Sequence, residues 1–206
     1  MEKLSKIAQR YASVPGNEKR FAFAGQPDSI IWKHFKKGDE AAFIYIYANY
    51  FNELLGFGFR ITSHIGIIED AIQDVFVDLR SRHTPLPNLK VSIKAFLFKA
   101  LKNKILAYCK RDQKQMAVAD KFWDPGFNVS KSIEDKIIDE EGNGQIARQL
   151  RNFIASLTRR EREIIYYLYY QKMSYEEIKE VMNFDNVKSV RNLLYRSLSK
   201  LKLKFN

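Results

Sequence analysis

The 206-residue sequence has few of the residues that build disulfides, metal sites or phosphate loops. It has one cysteine, Cys109, so no disulfide can form within the chain, and a reducing compartment is expected. Its three histidines, His34, His64 and His83, lie far apart and form no HExxH pattern, so we predict no metal and no cofactor. Neither GxxxxGK[ST] nor GxGxxG occurs. Together these absences predict that the protein is not an enzyme.

Long apolar runs are also missing. No stretch approaches 18 apolar residues without charge, so no transmembrane span and no membrane insertion are expected. The first 20 residues lack the apolar core of a signal peptide. These two features predict a cytoplasmic protein.

Positive charge is abundant. The chain has 35 lysines and arginines against 24 acids, a formal net charge of +11. This balance favours an anionic partner such as nucleic acid or a membrane surface. The alternative at this stage is a merely basic soluble protein.

Helical spacing of apolar residues runs through the chain, and it predicts an all-α fold. We expect two small helical domains joined by a flexible acidic linker, the C-terminal domain containing a helix-turn-helix. The predicted parts are an N-terminal extension (1–26), a first domain (27–112), the linker (113–144) and a C-terminal domain (145–206). Residues 118–144 hold seven acids against three lysines, so the linker is either a solvated loop or a mimic of nucleic acid.

Four helices are predicted in the first domain. Caps, glycines and apolar spacing place them from Asp28 to Gly38, from Asp39 to the glycines at 56 and 58, from Ser63 to Ser81, and from Ser92 to Arg111. The third of these carries an acidic face that contains Glu69, Asp70, Gln73, Asp74 and Asp78. That face is either simply solvated or a docking surface for a basic protein.

The fourth helix is basic and follows a basic loop, residues 80–90. Phe98 lies four residues from both Lys94 and Lys102. A ring among lysines suits single-stranded nucleic acid, whose bases stack on aromatic side chains. The alternative is that Phe98 packs on a neighbouring helix.

The stretch from Ser174 to Leu201 has the pattern of two short helices around a turn. Ser174 and Glu177 form a capping box, and the second helix is expected to start at Asp185 or Asn186. Its apolar positions are Val190, Leu194, Leu198 and Leu201. A basic, polar second helix is typical of a helix-turn-helix DNA-binding element.

Two motifs together resemble one family. EDAIQDVF at 69–76 and, some 90 residues later, LTRREREIIYYLYYQKMSYEEIKEVM followed by SVRNLLYRSLSKL look like those of a bacterial RNA polymerase sigma factor of the extracytoplasmic-function class. The resemblance covers about residues 28–202. It implies a subunit that binds core RNA polymerase, recognises promoter DNA and helps to melt it.

The resemblance also implies roles for individual residues. Those expected to dock on polymerase are Asp70, Gln73, Asp74 and Phe76. Those expected to hold the melted minus-ten strand are Arg80, Arg82, Lys94, Phe98, Lys102, Asn103 and Arg111. Those expected at the minus-thirty-five element are Lys188, Ser189, Arg191, Asn192, Tyr195 and Arg196.

The turn departs from the family pattern. NFDN is about one residue longer than usual before Val190, which shifts the base-contacting positions by up to one residue. An anti-sigma factor is a common partner of this class, although nothing in the sequence identifies one. The alternative function is a stand-alone helix-turn-helix transcriptional regulator, which would need neither the acidic nor the basic aromatic helix.

Overall fold

The computed structural model describes residues 21–81, 88–115, 154 and 156–205, and every regular element within these ranges is helical. The all-α prediction is therefore confirmed. The helices are α1 (Asp28–Lys36), α2 (Glu40–Ile61), α3 (Ile65–Ser81), α4 (Ile93–Gln115), α5 (Arg159–Ile165), α6 (Tyr175–Met182) and α7 (Val187–Phe205). A π-helical turn, Tyr166–Tyr170, extends α5. Residues 1–20 of the predicted extension and 116–144 of the predicted linker lie outside the described residues, whereas 113–115 belong to the last turn of α4.

The chain divides into two compact units. The first contains residues up to Gly58 and from His64 to Gln115; the second contains residues 59–63 and those from Met116 onward. The domain limits stated from the sequence stay a prediction.

Short polar segments set the starts of the helices in the first unit. The Asp39 carboxylate accepts hydrogen bonds from the backbone N–H groups of Ala41 (2.9 Å) and Ala42 (3.4 Å), which caps α2 as predicted. The Ser92 hydroxyl accepts from the Ala95 N–H at 3.1 Å and caps α4. Gly38 has φ +84°, the left-handed conformation that glycine adopts without strain.

Helix α2 continues beyond the glycines that were expected to end it. It runs through Gly56 and Gly58 to Ile61. Gly58 allows a close approach between helices: a Cβ placed there would lie 2.4 Å from Cγ2 of Ile68 on α3. The glycine therefore serves packing rather than termination, and a pattern of single residues cannot distinguish these two uses.

The core of the first unit forms where α3 packs along α4, beneath α1 and α2. Apolar side chains from all four helices are buried there, including Trp32, Leu54, Ile72, Leu97 and Leu101. Because each helix buries one face, its opposite side chains stay at the surface.

In the second unit, a capping box starts α5. The Thr158 hydroxyl accepts from the Glu161 N–H at 3.3 Å, and the Glu161 carboxylate accepts from the Thr158 N–H at 2.8 Å. Beyond Ile165 the π-helical turn changes which residues face inward. Tyr166 and Tyr167 are buried, whereas Ile165 and Leu168 are half-buried. A wider turn rotates the following side chains, and the i, i+3, i+4 pattern does not anticipate it.

Candidate nucleic-acid interface

The two-helix element of the second unit has well-defined ends. Ser174 caps α6: its hydroxyl accepts from the Glu177 N–H at 3.3 Å, and the Glu177 carboxylate accepts from the Ser174 N–H at 2.7 Å. Asn183 ends α6 in the left-handed conformation, with φ 53°. The Asn186 side chain accepts from the Ser189 N–H at 2.9 Å and begins α7, as predicted. Local polar residues thus set the angle between α6 and α7.

One side of α7 belongs to the core and the other is exposed. Val190, Leu193, Leu194 and Ser197 are buried, and the Ser197 hydroxyl donates to the Leu193 carbonyl at 2.8 Å. Five of the six residues predicted to meet DNA are exposed: Lys188, Arg191, Asn192, Tyr195 and Arg196. The sixth, Ser189, is half-buried, and its hydroxyl donates to Asn186 at 3.2 Å.

The five exposed residues, named here the α7 face, occupy adjacent helical positions. They lie at spacings of three, one, three and one residues, so they form one stripe along the helix. Tyr195 is 75% exposed, so its ring and hydroxyl are accessible to a partner. Three positive charges with two hydrogen-bonding side chains suit phosphates and base edges in a major groove.

Two arginines, Arg191 of α7 and Arg160 of α5, lie over aromatic rings of the α6–α7 element that the sequence pattern did not indicate as functional. The Arg191 guanidinium lies 5.5 Å from the centre of the Tyr175 ring. Arg160 lies 4.5 Å from the Phe184 ring and donates to the Met182 carbonyl at 3.5 Å. Tyr175 follows the cap of α6 and Phe184 lies in the turn. In the sequence, the feature that could have predicted these contacts is an aromatic residue beside a cap or turn, together with an arginine elsewhere in the motif.

Glu161 joins the start of α5 to the end of α7. Its carboxylate is 2.7 Å from the Lys200 ammonium and only 7% exposed. Burial alone would raise the pKa of Glu161, but the hydrogen bonds from Lys200 and Thr158 outweigh it and lower that pKa below the ordinary value. The ion pair therefore holds α7 at a defined angle to α5.

The acidic side of α3 separates into exposed and paired residues. Asp70 and Gln73 are exposed. Asp74 and Asp78 are half-buried and pair with Lys104 of α4, at 3.5 Å and 3.0 Å. Of the predicted docking residues, Asp70 and Gln73 are thus the most accessible.

Asp74 is held by α4 through a second contact. The Tyr108 hydroxyl donates to its carboxylate at 2.5 Å. This bond, with the charge of Lys104, lowers the pKa of Asp74 against a smaller opposing effect of burial, and it raises the pKa of Tyr108. Asp74 stays charged, but its charge is partly neutralised within the unit.

Phe76 does not lie on the acidic surface. It is 4% exposed, with ring contacts to Tyr47 (4.8 Å between centroids) and Phe43 (6.2 Å). The prediction that Phe76 contacts polymerase directly is therefore corrected to a core position beneath α3. Its neighbour Val77, which is 50% exposed, has the accessible apolar side chain instead.

Phe98 requires a similar correction. Its side chain is 0% exposed and stacks on Phe57 with ring centroids 4.6 Å apart, so it presents no face to a base. The Lys94 ammonium lies 5.8 Å from its ring. Phe98, Leu101 and Ile105 form one buried stripe, so spacing from lysines misassigned the inward side of α4.

The other residues predicted at the minus-ten strand are scattered around α4 and the end of α3. Asn103 and Arg111 are exposed, and Lys102 is half-buried. Arg111 lies 4.9 Å from the Tyr108 ring. Lys94 pairs with Glu53 at 2.9 Å, and exposed Arg80 pairs with Glu40 at 3.4 Å. Arg82 lies outside the described residues.

Two searches of the described residues bear on other classes of site. In the parts of the chain that the structure describes, no three His, Cys, Asp or Glu side chains are grouped to hold a metal ion. Among the described helices, none has the length and apolar content needed to cross a membrane.

Comparison with known families identifies the second unit. The family model described as Sigma-70, region 4 matches residues 147–201, which include the capped α5 and the whole α6–α7 element. Residues 147–201 are therefore similar to a sigma-70 region 4. The resemblance to sigma factors is thereby confirmed, and with it the prediction of a non-enzymatic, DNA-binding transcription initiation protein.

A solved structure extends the likeness beyond the residues that the family model matches. A chain from the structure of CnrH in complex with the cytosolic domain of CnrY is similar at 20% identity and a TM-score of 0.51. The likeness covers 85% of this chain and 95% of that chain, which supports the overall fold. No curated protein matches the chain significantly.

Proposed function

We propose that this protein is a dissociable sigma subunit that binds core RNA polymerase, recognises a promoter and helps to melt it. The α7 face carries the proposal. It is an exposed basic and polar stripe on an element whose helix starts are fixed by the Ser174–Glu177 capping box and by the Asn186 cap. Such a stripe fits the major groove at the minus-thirty-five element.

The first unit supplies the features that a stand-alone regulator would not need. Asp70 and Gln73 give an acidic and polar surface for docking on polymerase. Asn103 and Lys102 give a polar and basic surface on α4 for the melted minus-ten strand. With Phe98 buried, strand capture on α4 depends on these polar residues rather than on stacking against that ring.

Regulation and location follow from the same proposal. CnrH was solved with the cytosolic domain of CnrY, and we infer that an inhibitory protein of the anti-sigma kind binds this chain as well. A protein that works on polymerase and promoter DNA belongs in the cytoplasm.

Run-off transcription with core polymerase on a library of genomic fragments tests the proposal. The unaltered protein should produce promoter-specific transcripts, and Arg191→Ala with Arg196→Ala should abolish most of them while core polymerase binding is retained. Absence of any transcript, together with tight binding of duplex DNA by the protein alone, would instead establish the stand-alone regulator.

A further inference from the structure

A groove on the first unit is lined by lysines and apolar side chains that belong to none of the DNA-binding or polymerase-binding sites proposed above. It has a volume of about 490 Å³ and opens between α1 and the segment that precedes α4. Trp32 and Leu89 provide apolar walls, and three exposed lysines line it: Lys33 and Lys36 of α1, and Lys37 directly after α1. None of the described residues that line the groove is acidic. The groove is therefore an amphipathic, positively charged site.

The lysines are held near the groove by the fold. The Lys36 ammonium donates to the Asn88 side chain at 2.9 Å, which uses one of its three N–H donors. Two nearby carboxylates in the sequence have other partners: Asp28 accepts from the Ile93 N–H at 2.7 Å, and Asp39 contacts His34 at 3.0 Å. The positive charge at the groove is thus not cancelled by ion pairs with these acids.

The groove adjoins the surface of α4. Trp32, which is 3% exposed, forms its inner wall and contacts the Phe96 ring at 5.1 Å. Phe96 is half-buried on α4, seven residues or two helical turns before exposed Asn103. The Trp32–Phe96 contact therefore joins the inner wall of the groove to the helix that carries the residues proposed for the minus-ten strand.

We propose that the groove binds the sugar–phosphate backbone of single-stranded promoter DNA and extends the strand interface from α4 to α1. This inference rests on the proposed function. Lysines at the rim meet phosphates, and half-buried Leu89 contacts sugars and bases that a duplex keeps stacked inside. Single-stranded DNA is accordingly the form that suits both the charges and the apolar walls.

The test uses the full chain bound to core polymerase and a fluorescent single-stranded DNA of about 20 nucleotides of mixed sequence. Lys33→Ala with Lys37→Ala removes two groove charges and leaves the Lys36–Asn88 contact intact. We expect affinity to fall on the order of tenfold and the slope of log K against log salt to decrease by about 1.4, since each phosphate contributes about 0.7. Lys33→Arg with Lys37→Arg should retain binding.

A matched control removes two lysines of the second unit, Lys172→Asn with Lys179→Ala, and should bind the single strand as the unaltered protein does. When the probe is annealed to its complement, the difference in DNA affinity between the groove variant and the unaltered protein should become smaller. Any one of three results would overturn the proposal: an equal loss of DNA affinity in the groove variant and the control, unchanged DNA affinity in the groove variant, or a larger loss of affinity for duplex DNA than for the single strand. Because the full chain can also be titrated without polymerase, a failed run-off assay would count against the sigma function and leave the groove separately testable.

Discussion

At the scale of single residues, burial determines what Phe98 can do. Its ring is fully enclosed and stacked on Phe57. We predict that Phe98→Ala lowers the free energy of unfolding of the first unit by about 3–5 kcal/mol, the cost of deleting a buried aromatic ring. Denaturant unfolding measures the loss, and Phe98→Leu should recover a large part of it. A variant of unchanged stability that only slowed strand opening would show that the ring is available to DNA.

Tyr175 is expected to act through Arg191. Their 5.5 Å contact holds the guanidinium at the start of the α7 face. Tyr175→Leu should weaken promoter binding by about two- to fivefold, the equivalent of an exposed cation–π contact, while Tyr175→Phe should bind normally. Fluorescence anisotropy with holoenzyme and promoter duplex gives the affinities.

The control for Tyr175 is a double-mutant cycle. In an Arg191→Ala background the effect of Tyr175→Leu should disappear, because the residue it positions is gone. If the full loss persists in that background, Tyr175 supports the fold of α6 or contacts DNA itself.

Individual site residues were predictable from the sequence to different degrees. The exposed positions of the α7 face followed from helical spacing, because Val190 and Leu194 fix the inward side. The burial of Phe76 and Phe98 could not be predicted in this way, because charge next to an aromatic residue does not show which side of a helix is buried. Partners distant in sequence, such as Tyr108 for Asp74, become visible only when two helices are packed together.

At the scale of secondary-structure elements, two glycines of α2 offer a direct comparison. A Cβ at Gly58 would meet buried Ile68 at 2.4 Å, whereas nothing lies within 4 Å of a Cβ at Gly56. Gly58→Ala should destabilise the first unit by about 1–3 kcal/mol through overpacking. Gly56→Ala should stabilise it by about 0.5–1 kcal/mol, since alanine is the better helix former. Thermal unfolding of both variants checks this, and equal effects would contradict the close approach of α2 and α3.

The Glu161–Lys200 pair makes the stability of the second unit depend on pH. Because the pKa of Glu161 in the folded chain is below its ordinary value of 4.5, its stabilising effect is complete above that value and is lost as pH falls through the folded pKa. Lys200→Met should cost about 1–2 kcal/mol at neutral pH, because a buried carboxylate loses its partner. It should also flatten the decline in stability between about pH 6 and pH 3. Chemical unfolding at each pH provides the measurement, and an unchanged slope would exclude Glu161 as the titrating group.

The sequence predicted the boundary of a helix where a capping residue was present, but not where packing against other helices determined the boundary. Thr158 and Ser174 start α5 and α6 as their capping-box patterns indicate. The continuation of α2 to Ile61 and the π-helical turn at Tyr166–Tyr170 depend on neighbouring helices, which a local pattern does not contain.

At the scale of the whole molecule, positive and negative charges are found on different surfaces. A net charge of +11 attracts DNA, yet the outward side of α3 keeps Asp70 exposed and acidic. Two other acids of α3, Asp74 and Asp78, are paired with Lys104 of α4 within the same unit. We propose that a basic protein with an exposed acidic residue on α3 binds two different macromolecules through separate surfaces.

The acidic face gives a prediction that tests this separation. Asp70→Lys reverses the charge of an exposed residue and should weaken core polymerase binding by at least about tenfold, because two like-charged surfaces would then meet. Stability should be unaffected, since the side chain is at the surface. Asn49→Lys with Asn52→Lys adds the same charge on exposed positions of α2 and should bind normally. Competition for core polymerase in the absence of DNA measures each affinity. Equal weakening by both variants would mean that net charge, rather than the α3 surface, governs docking.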